Sequence, residues 1–289
     1  MLHDILHCAL HALKDGALSV PILFIAYLFM ELLERSRKLD ERVLHTYSRK
    51  AGPALGGILG AIPQCGISGA AATLFSTGSV TVGTMLAVFF ATSDEMLPVM
   101  LSSLADKNGP GAAQIFSILA AKALLGIALG YLVDALFGKA FAAGRDIHSF
   151  CEREGCECDD EGSVWLSALH HTVKITLMLV AVTFAINLVM HFMGIERLAN
   201  TVFSKPIIGE ALLALIGLVP NCSVSVIITE AYISGLIGLG GLFAGLLSNA
   251  GIGLLVLFRS NRNLKENLAV LALLYALGAV TGMIVGVLF

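Results

Sequence analysis

The chain alternates between long apolar runs and short polar stretches. Five runs contain no Asp, Glu, Lys or Arg, and the first of them, Ala51–Ser93, is 43 residues long. A bilayer crossing needs about 20 such residues, so this run is long enough for two passes. The pattern predicts an all-α polytopic membrane protein with eight to ten membrane segments. The other four runs are 175–195, 211–229, 231–258 and 267–289.

Turn signals divide the apolar runs into two similar series of segments. Thr77-Gly78-Ser79 predicts a turn, and Asn108-Gly109-Pro110-Gly111 predicts a loop. The first series is predicted as a helix over 16–34, a proline-containing block over 51–79, and helices over 80–104 and 112–137. The second series is predicted as a helix over 164–192, a proline-containing block over 207–233, and helices over 236–258 and 264–288.

The composition supports an integral membrane protein with several passes. Hydrophobic residues make up 57% of the 289 positions and charged residues 13%, whereas soluble domains average about 25% charged. The net charge is −3, and the basic residues are clustered, so nucleic acid is not an expected partner. The first apolar stretch, 17–33, has no basic start and no small-residue cleavage site after it. We therefore interpret it as a retained helix rather than a signal peptide.

Two proline-containing elements 157 residues apart resemble each other. They read Ile62-Pro63-Gln64-Cys65-Gly66 and Val219-Pro220-Asn221-Cys222-Ser223. Without gaps, ten of 36 aligned positions are identical, where chance would give roughly three or four in a chain of this composition. We interpret the chain as one transport domain, 1–289, made of a first repeat, 1–137, an acidic cysteine-bearing connecting loop, 138–163, and a second repeat, 164–289.

The number of crossings decides how the two halves face each other. If both proline blocks cross the membrane, there are eight spans and the halves are parallel. If both blocks are re-entrant hairpins, each half has three crossings and the halves are inverted. The positive-inside rule places the basic stretch 35–50 in the cytoplasm in either case. We favour inverted halves because this symmetry makes alternating access simple.

Each proline block predicts irregular backbone inside the membrane. Proline removes a backbone donor and frees a carbonyl one turn earlier, and such groups are tolerated only when buried in protein or facing a wet cavity. Cys65 and Cys222 would then offer sulfur ligands to thiophilic metals or trivalent metalloids. The simpler alternative is a kinked helix with cysteine as a small apolar residue. The predicted substrate-binding residues here are Pro63, Gln64, Cys65, Gly66, Ser68, Pro220, Asn221, Cys222, Ser223 and Ser225.

Acidic residues inside apolar segments are the second candidate. Ser93-Asp94-Glu95 interrupts a predicted helix, and a charge at bilayer depth costs about 2.5–3.5 kcal/mol on insertion scales. The pair predicts a cavity, a bound cation or a proton-carrying role, with an interfacial location as the alternative. Asp94 and Glu95 join Cys65 and Cys222 as candidate metal ligands. The second half offers Asn249 at the matching place, and Glu230, for which a boundary position is the alternative.

The remaining polar groups give weaker signals. His148, Cys151, Cys156 and Cys158 in the connecting loop are accessory metal candidates, although a disulfide or a solvated acidic linker explains them as well. Lys122 and Lys174 are expected to reach the interface from helix ends. The chain has no Gly-rich Lys-Ser/Thr phosphate loop and no hydrolase motif. We therefore expect no ATP-driven transport, no enzyme activity and no cofactor.

The two proline-cysteine elements, together with Ala91-Thr92-Ser93-Asp94-Glu95, resemble the heavy-metal and arsenic efflux permeases. Members of this family are also labelled manganese transporters and have about ten predicted membrane segments. The resemblance implies export of a metal or metalloid through the plasma membrane. It points to the Pro-Gln-Cys, Ser-Asp-Glu and Pro-Asn-Cys positions named above.

The leading hypothesis is an ion- or proton-coupled secondary transporter that exports a heavy metal or metalloid. Its expected partners are the lipid bilayer and the substrate ion, and a homodimer remains open. Two other classes are compatible with the residues. One is an intramembrane thiol-redox enzyme that uses Cys65 and Cys222, which requires their Cα atoms to lie within about 7 Å. The other is a carrier of sulfur-containing or other small anions, since the N-termini of half-helices attract anions.

Overall fold

A computed structural model gives the fold. It describes residues 41–92, 95–105, 110–138, 140–141 and 207–289, together with short pieces between 10 and 28 and between 165 and 184. The side chains of residues 41–49, 65 and 105 lie outside this description. The described residues form helices and turns and contain no strand, which confirms the all-α class. The predicted helices over 16–34 and 164–192 fall mostly outside the described residues.

Ten α-helices lie within the longer described ranges, five in each series. The first series is α1 Glu41–Gly60, α2 Cys65–Ser76, α3 Val82–Ala91, α4 Met96–Ser102, which continues into one 3-10 turn, and α5 Ala112–Phe137. The second series is α6 Ile208–Gly217, α7 Cys222–Ile233, α8 Leu239–Ser248, α9 Gly253–Ser260 and α10 Leu264–Leu288. Helices α5 and α10 have the bounds that the sequence predicts.

Two segments predicted as continuous helices are each interrupted. The prediction over 80–104 is wrong at Thr92, which leaves the helical conformation with φ −52° and ψ 126°. The prediction over 236–258 is wrong at Asn249, with φ −86° and ψ 102°. Polar side chains satisfy the local backbone at both places, because Thr92 Oγ1 donates to the Val88 carbonyl and Asn249 Oδ1 accepts from the Gly251 N–H.

Helices α3 and α8 form the centre of the molecule. All ten residues of α3 are buried, as are nine of the ten in α8. Each is bordered by two helices that approach it through glycine. A Cβ atom on Gly56 of α1 would lie 2.7 Å from the Thr84 carbonyl oxygen, and one on Gly60 would lie 2.6 Å from that of Val88. The contact partner on α3 moves from residue 84 to residue 88 as the glycine on α1 moves from 56 to 60. Helices α1 and α3 therefore run in the same direction.

Helix α5 packs on α3 in the opposite direction. A Cβ atom on Gly130 would lie 2.6 Å from the Gly83 carbonyl oxygen, and one on Gly126 would lie 3.0 Å from that of Ala87. Such small-residue contacts allow the backbones of membrane helices to approach closely. Helix α8 lies between α6 and α10 in the same way.

Four helical stretches among the described residues are long and apolar enough to cross a membrane. Two of them combine a central helix with the short helix after its break, and the other two are α5 and α10. The stretches are Val82–Ser102, Ala112–Phe137, Leu239–Ser260 and Leu264–Leu288. Their length and apolar composition are those of membrane-spanning helices.

Helices α2 and α7 end near opposite ends of α5. The Phe75 ring in the last turn of α2 lies 6.4 Å, between centroids, from the Phe141 ring, just after α5. Tyr232 in the last turn of α7 accepts a 2.8 Å hydrogen bond from Gln114 in the first turn of α5. Since α5 has 26 residues, its ends are roughly 39 Å apart.

Candidate functional site

The first proline element connects α1 to α2. Pro63 lies in the short connection between Gly60 and Cys65. Gln64 is the extended residue that precedes α2, with φ −154° and ψ 111°, and its side chain makes no capping hydrogen bond. Ser68, in the first turn of α2, is completely buried, and Gly66 is also buried. The Cys65 side chain lies outside the described residues.

The second proline element connects α6 to α7 with similar geometry. Asn221 precedes α7 with φ −147° and ψ 135°, and its Oδ1 accepts a 3.0 Å hydrogen bond from the Ser223 N–H. Cys222 is buried, and its carbonyl accepts a 2.7 Å hydrogen bond from the Ser225 hydroxyl. Pro220 and Ser223 are half-buried. The Asn221 side chain therefore caps a backbone N–H group in the first turn of α7.

The break between α3 and α4 contains the predicted acidic residues. Ser93 and Asp94 lie outside the described residues. Glu95 is half-buried and precedes α4, and its carbonyl accepts a 3.2 Å hydrogen bond from the Val99 N–H. Thr92 is buried. The break thus continues into a helix whose N-terminus carries an acidic residue, a position where the helix dipole favours negative charge.

The break between α8 and α9 is polar but uncharged. Asn249 is buried and holds the Gly251 N–H, while Gly251 has a positive φ of 53°. The Ser248 hydroxyl lies 3.4 Å from the Leu274 carbonyl of α10. The predicted site residue Asn249 is therefore at the break itself.

The expectation for Lys122 is wrong. It does not reach the interface, because it is the eleventh residue of α5 and only 2% of its surface is exposed. Its ammonium group donates to the Thr92 carbonyl at the first break. No sequence pattern marks this contact, because the acceptor is a backbone group 30 residues away.

The break between α8 and α9 packs on α2, the helix that follows the first proline element. A Cβ atom on Gly253 would lie 2.8 Å from Ser68 Cβ and 2.6 Å from the Phe89 ring. Conversely, α4 of the first series packs on α7 of the second, and Met96 and Cys222 belong to one buried cluster. The helix after each break thus packs on the helix that follows the proline element of the other series.

A buried carboxylate not anticipated from the sequence supports α3. Asp134 of α5 accepts a 2.6 Å hydrogen bond from the Thr81 hydroxyl and a 2.8 Å bond from the Gly83 N–H. These groups lie at the N-terminus of α3, where a carboxylate is favoured. Asp134 therefore holds α3 against α5.

Other predicted site residues lie apart from the breaks or beyond the description. Glu230 is exposed in the last turn of α7, as its boundary alternative expected, and Lys174 is exposed. Among the described residues, no three His, Cys, Asp or Glu side chains are grouped to hold a metal ion. Asp94 and the Cys65 side chain are not among those residues. The connecting-loop candidates His148, Cys151, Cys156 and Cys158 also lie outside them.

The family comparison covers the first proline element and the acidic break. A family model described as "Putative, 10TM heavy-metal exporter" matches residues 5–192. The chain belongs to this family. The match ends before α6, so the second proline element lies beyond it. No curated protein and no solved structure matches the chain.

Proposed function

We propose that the chain is a secondary transporter that exports a heavy metal or metalloid across the plasma membrane, coupled to an ion or proton gradient. Membership of the heavy-metal exporter family supports the substrate class. The absence of a phosphate-binding loop from the sequence supports a gradient as the energy source.

The proposal includes an internal repeat, which the helix bounds support. Cys65–Ser76 and Cys222–Ile233 are both 12 residues long and begin 157 residues apart. Val82–Ala91 and Leu239–Ser248 are both ten residues long with the same offset. The turns between these helices each contain a glycine of similar positive φ, Gly78 at 79° and Gly235 at 74°. The same offset relates the two breaks.

We further propose that the two halves are inverted, with α1–α2 and α6–α7 as re-entrant hairpins. The observation that carries this is the pair of contacts at the opposite ends of α5, Phe75 with Phe141 and Tyr232 with Gln114. If the hairpin α1–α2 returns to one side of the membrane and the hairpin α6–α7 returns to the other, the two halves have inverted orientations. Six crossings plus four hairpin helices make ten segments, in agreement with the ten of the family description.

The proposed substrate site lies where the hairpin tips meet the breaks. The two tips and the two breaks contribute eight helix ends, so backbone carbonyls and N–H groups are released from helical hydrogen bonding there. Gln64, Asn221 and Asn249 supply polar groups, and Cys65 and Cys222 are proposed to bind a thiophilic substrate. Asp94 or Glu95 is proposed to exchange a proton as the substrate passes. Rocking of the halves about this junction would open it to each side in turn.

Export can be tested in everted membrane vesicles from cells that produce the full chain. Vesicles energised by respiration are expected to accumulate at least one of Mn²⁺, Cd²⁺ or arsenite above vesicles without the protein. A protonophore should abolish the difference, because the gradient supplies the energy. A protein that is present in the membrane at normal amounts but moves none of these ions would contradict the proposal.

A further inference from the structure

Asn267 has a buried side-chain oxygen to which no described residue donates a hydrogen bond. It lies in the first turns of α10, and 1% of its surface is exposed. Its Nδ2 donates a 2.7 Å hydrogen bond to the Asn261 carbonyl, just after α9, whereas its Oδ1 has no hydrogen-bond partner within the described ranges. Buried polar atoms in native proteins are nearly always paired. This oxygen can therefore accept a hydrogen bond from a ligand or bind a cation.

The orientation of the Asn267 amide is fixed by its neighbour. Exchanging the nitrogen and the oxygen would place Oδ1 against the Asn261 carbonyl oxygen, and neither atom could then donate. Nδ2 therefore keeps its bond, and Oδ1 keeps its unused lone pairs. Because both atoms belong to one amide group, Oδ1 lies in the protein interior beside the C-terminal end of α9.

The end of α9 offers further oxygen atoms and negative charge. The carbonyls in the last turn of a helix have no partner within that helix, and they give this end a partial negative charge. The Asn261 N–H donates a 2.8 Å hydrogen bond to one of them, the Leu257 carbonyl. The carboxylate of Glu266, which is half-buried, accepts a 3.2 Å hydrogen bond from the Asn261 side chain. Asn267 Oδ1 thus lies near a carboxylate and the negative end of a helix.

Basic side chains of the same connection do not satisfy this oxygen. Arg259 is half-buried in the last turn of α9, and Arg262 and Lys265 are exposed. None of the three donates a hydrogen bond to Asn267 Oδ1. Water and salt screen the two exposed charges. A small cation that enters the interior can therefore still reach the oxygen.

The fold does not require an amide at this position. Gly130 of α5 packs on α3 as Gly282 of α10 packs on α8, which relates the two long helices by 152 residues. The residue of α5 that matches Asn267 is Ile115, and it is completely buried. An apolar side chain thus fills the corresponding place in the first half. Ligand binding explains the amide in the second half, where packing alone does not.

We propose that Asn267 Oδ1 is a ligand of a monovalent alkali cation, bound between the end of α9 and the start of α10. Amide, carbonyl and carboxylate oxygens are the ligands of hard cations. In transporters, carbonyls at the C-terminal ends of broken helices coordinate Na⁺. Helix α9 is such a helix, since it follows the break at Asn249. One carboxylate among neutral oxygens favours a cation of one positive charge over a divalent one.

The cation fastens the end of α9 to α10. Because α9 packs on α2, the site also supports the helix that follows the first proline element. The inference does not depend on the exported metal, since neither Asn267 nor the C-terminal end of α9 belongs to the proposed substrate site.

The test measures binding of radiolabelled Na⁺ to the purified full chain in detergent and choline chloride, with K⁺ as a competitor. The wild type is expected to bind Na⁺ saturably at one site per chain. Asn267→Leu, which has a similar shape without an oxygen, should lose at least nine-tenths of this binding. Asn267→Asp, which adds negative charge, should bind at least threefold more tightly. Asn263→Ala is the control, because Asn263 is exposed and its side chain makes no capping bond.

Each outcome supports or overturns the site. Stronger competition by K⁺ than by unlabelled Na⁺ would identify K⁺ as the alkali cation that binds. A wild type that binds no Na⁺ and melts at one temperature in NaCl, KCl and choline chloride would overturn the inference, with a buried water as the partner of Asn267. Saturable binding that persists in Asn267→Leu would also overturn it. If that variant does not fold, unchanged affinity in Asn267→Asp would decide against the site. Loss of metal export with intact Na⁺ binding would count only against the proposed function.

Discussion

Gln114 and Tyr232 are 118 residues apart in sequence and share a 2.8 Å hydrogen bond between their side chains. The bond fixes the end of α7 beside the start of α5. The end of α2 lies at the other end of α5, through Phe75 and Phe141. Two helices that follow similar proline elements therefore point in opposite directions along α5, and this relationship is the basis on which we propose inverted halves.

Inverted halves place the end of α7 and the start of α5 on the same side of the membrane, whereas parallel halves with eight spans place them on opposite sides. Ser234→Cys, in the exposed turn after α7, and Gly111→Cys, at the exposed residue before α5, should both react with a membrane-impermeant thiol reagent in intact cells. Both variants also carry Ser in place of Cys8, Cys151, Cys156 and Cys158. Reaction of Gly111→Cys only after lysis would rule out inverted halves.

Many helix ends could be predicted because polar residues or turn residues mark them in the sequence. Helix α5 starts after Gly111 and α10 starts after Asn263, at clear changes of composition. The breaks after α3 and α8 could not be predicted in the same way. Thr92 and Asn249 are ordinary polar residues in apolar runs, and their effect depends on local hydrogen bonds. Proline marks the hairpin tips, but no such marker precedes either break.

The candidate site was predictable to a similar extent. Asn221, Ser225 and Asn249 were anticipated and are buried at the proline element and the break of the second half. The burial of Lys122 and Asp134 was not anticipated, because their partners are the Thr92 carbonyl and the N-terminus of α3. The pattern of residue types along the chain does not show which backbone groups, far away in sequence, are left without a helical hydrogen bond.

Glycine contacts around the central helices should control stability. Replacing Gly282 by Leu is expected to lower the melting temperature of the purified protein by several degrees or to prevent folding. The reason is that a Cβ atom there would lie 2.7 Å from the Ala244 Cα and from the Gly240 carbonyl oxygen. Gly111→Ala is the control, since a Cβ atom on Gly111 would meet nothing within 4 Å. A thermal-shift assay that gives equal melting temperatures for both variants would contradict the close packing of α8 and α10.

The amide side chain at the second hairpin tip should contribute to stability. Asn221→Ala is expected to reduce the free energy of unfolding by about 1 kcal/mol, because it removes the cap on the Ser223 N–H. Asn221→Ser, which keeps a side-chain oxygen as acceptor, should retain most of that stability. Equilibrium unfolding in mixed micelles measures the difference, and equal losses in the two variants would show that the cap does not stabilise α7.

The most direct test of the account is ion flux through the variant Cys65→Ala/Cys222→Ala in everted vesicles, compared with wild type and with Cys8→Ala. We expect the double variant to lose at least nine-tenths of the flux of the ion that the wild type exports, at equal protein levels, while Cys8→Ala keeps wild-type flux. Full flux in the double variant would show that the hairpin-tip thiols do not bind the substrate, and would contradict the central claim.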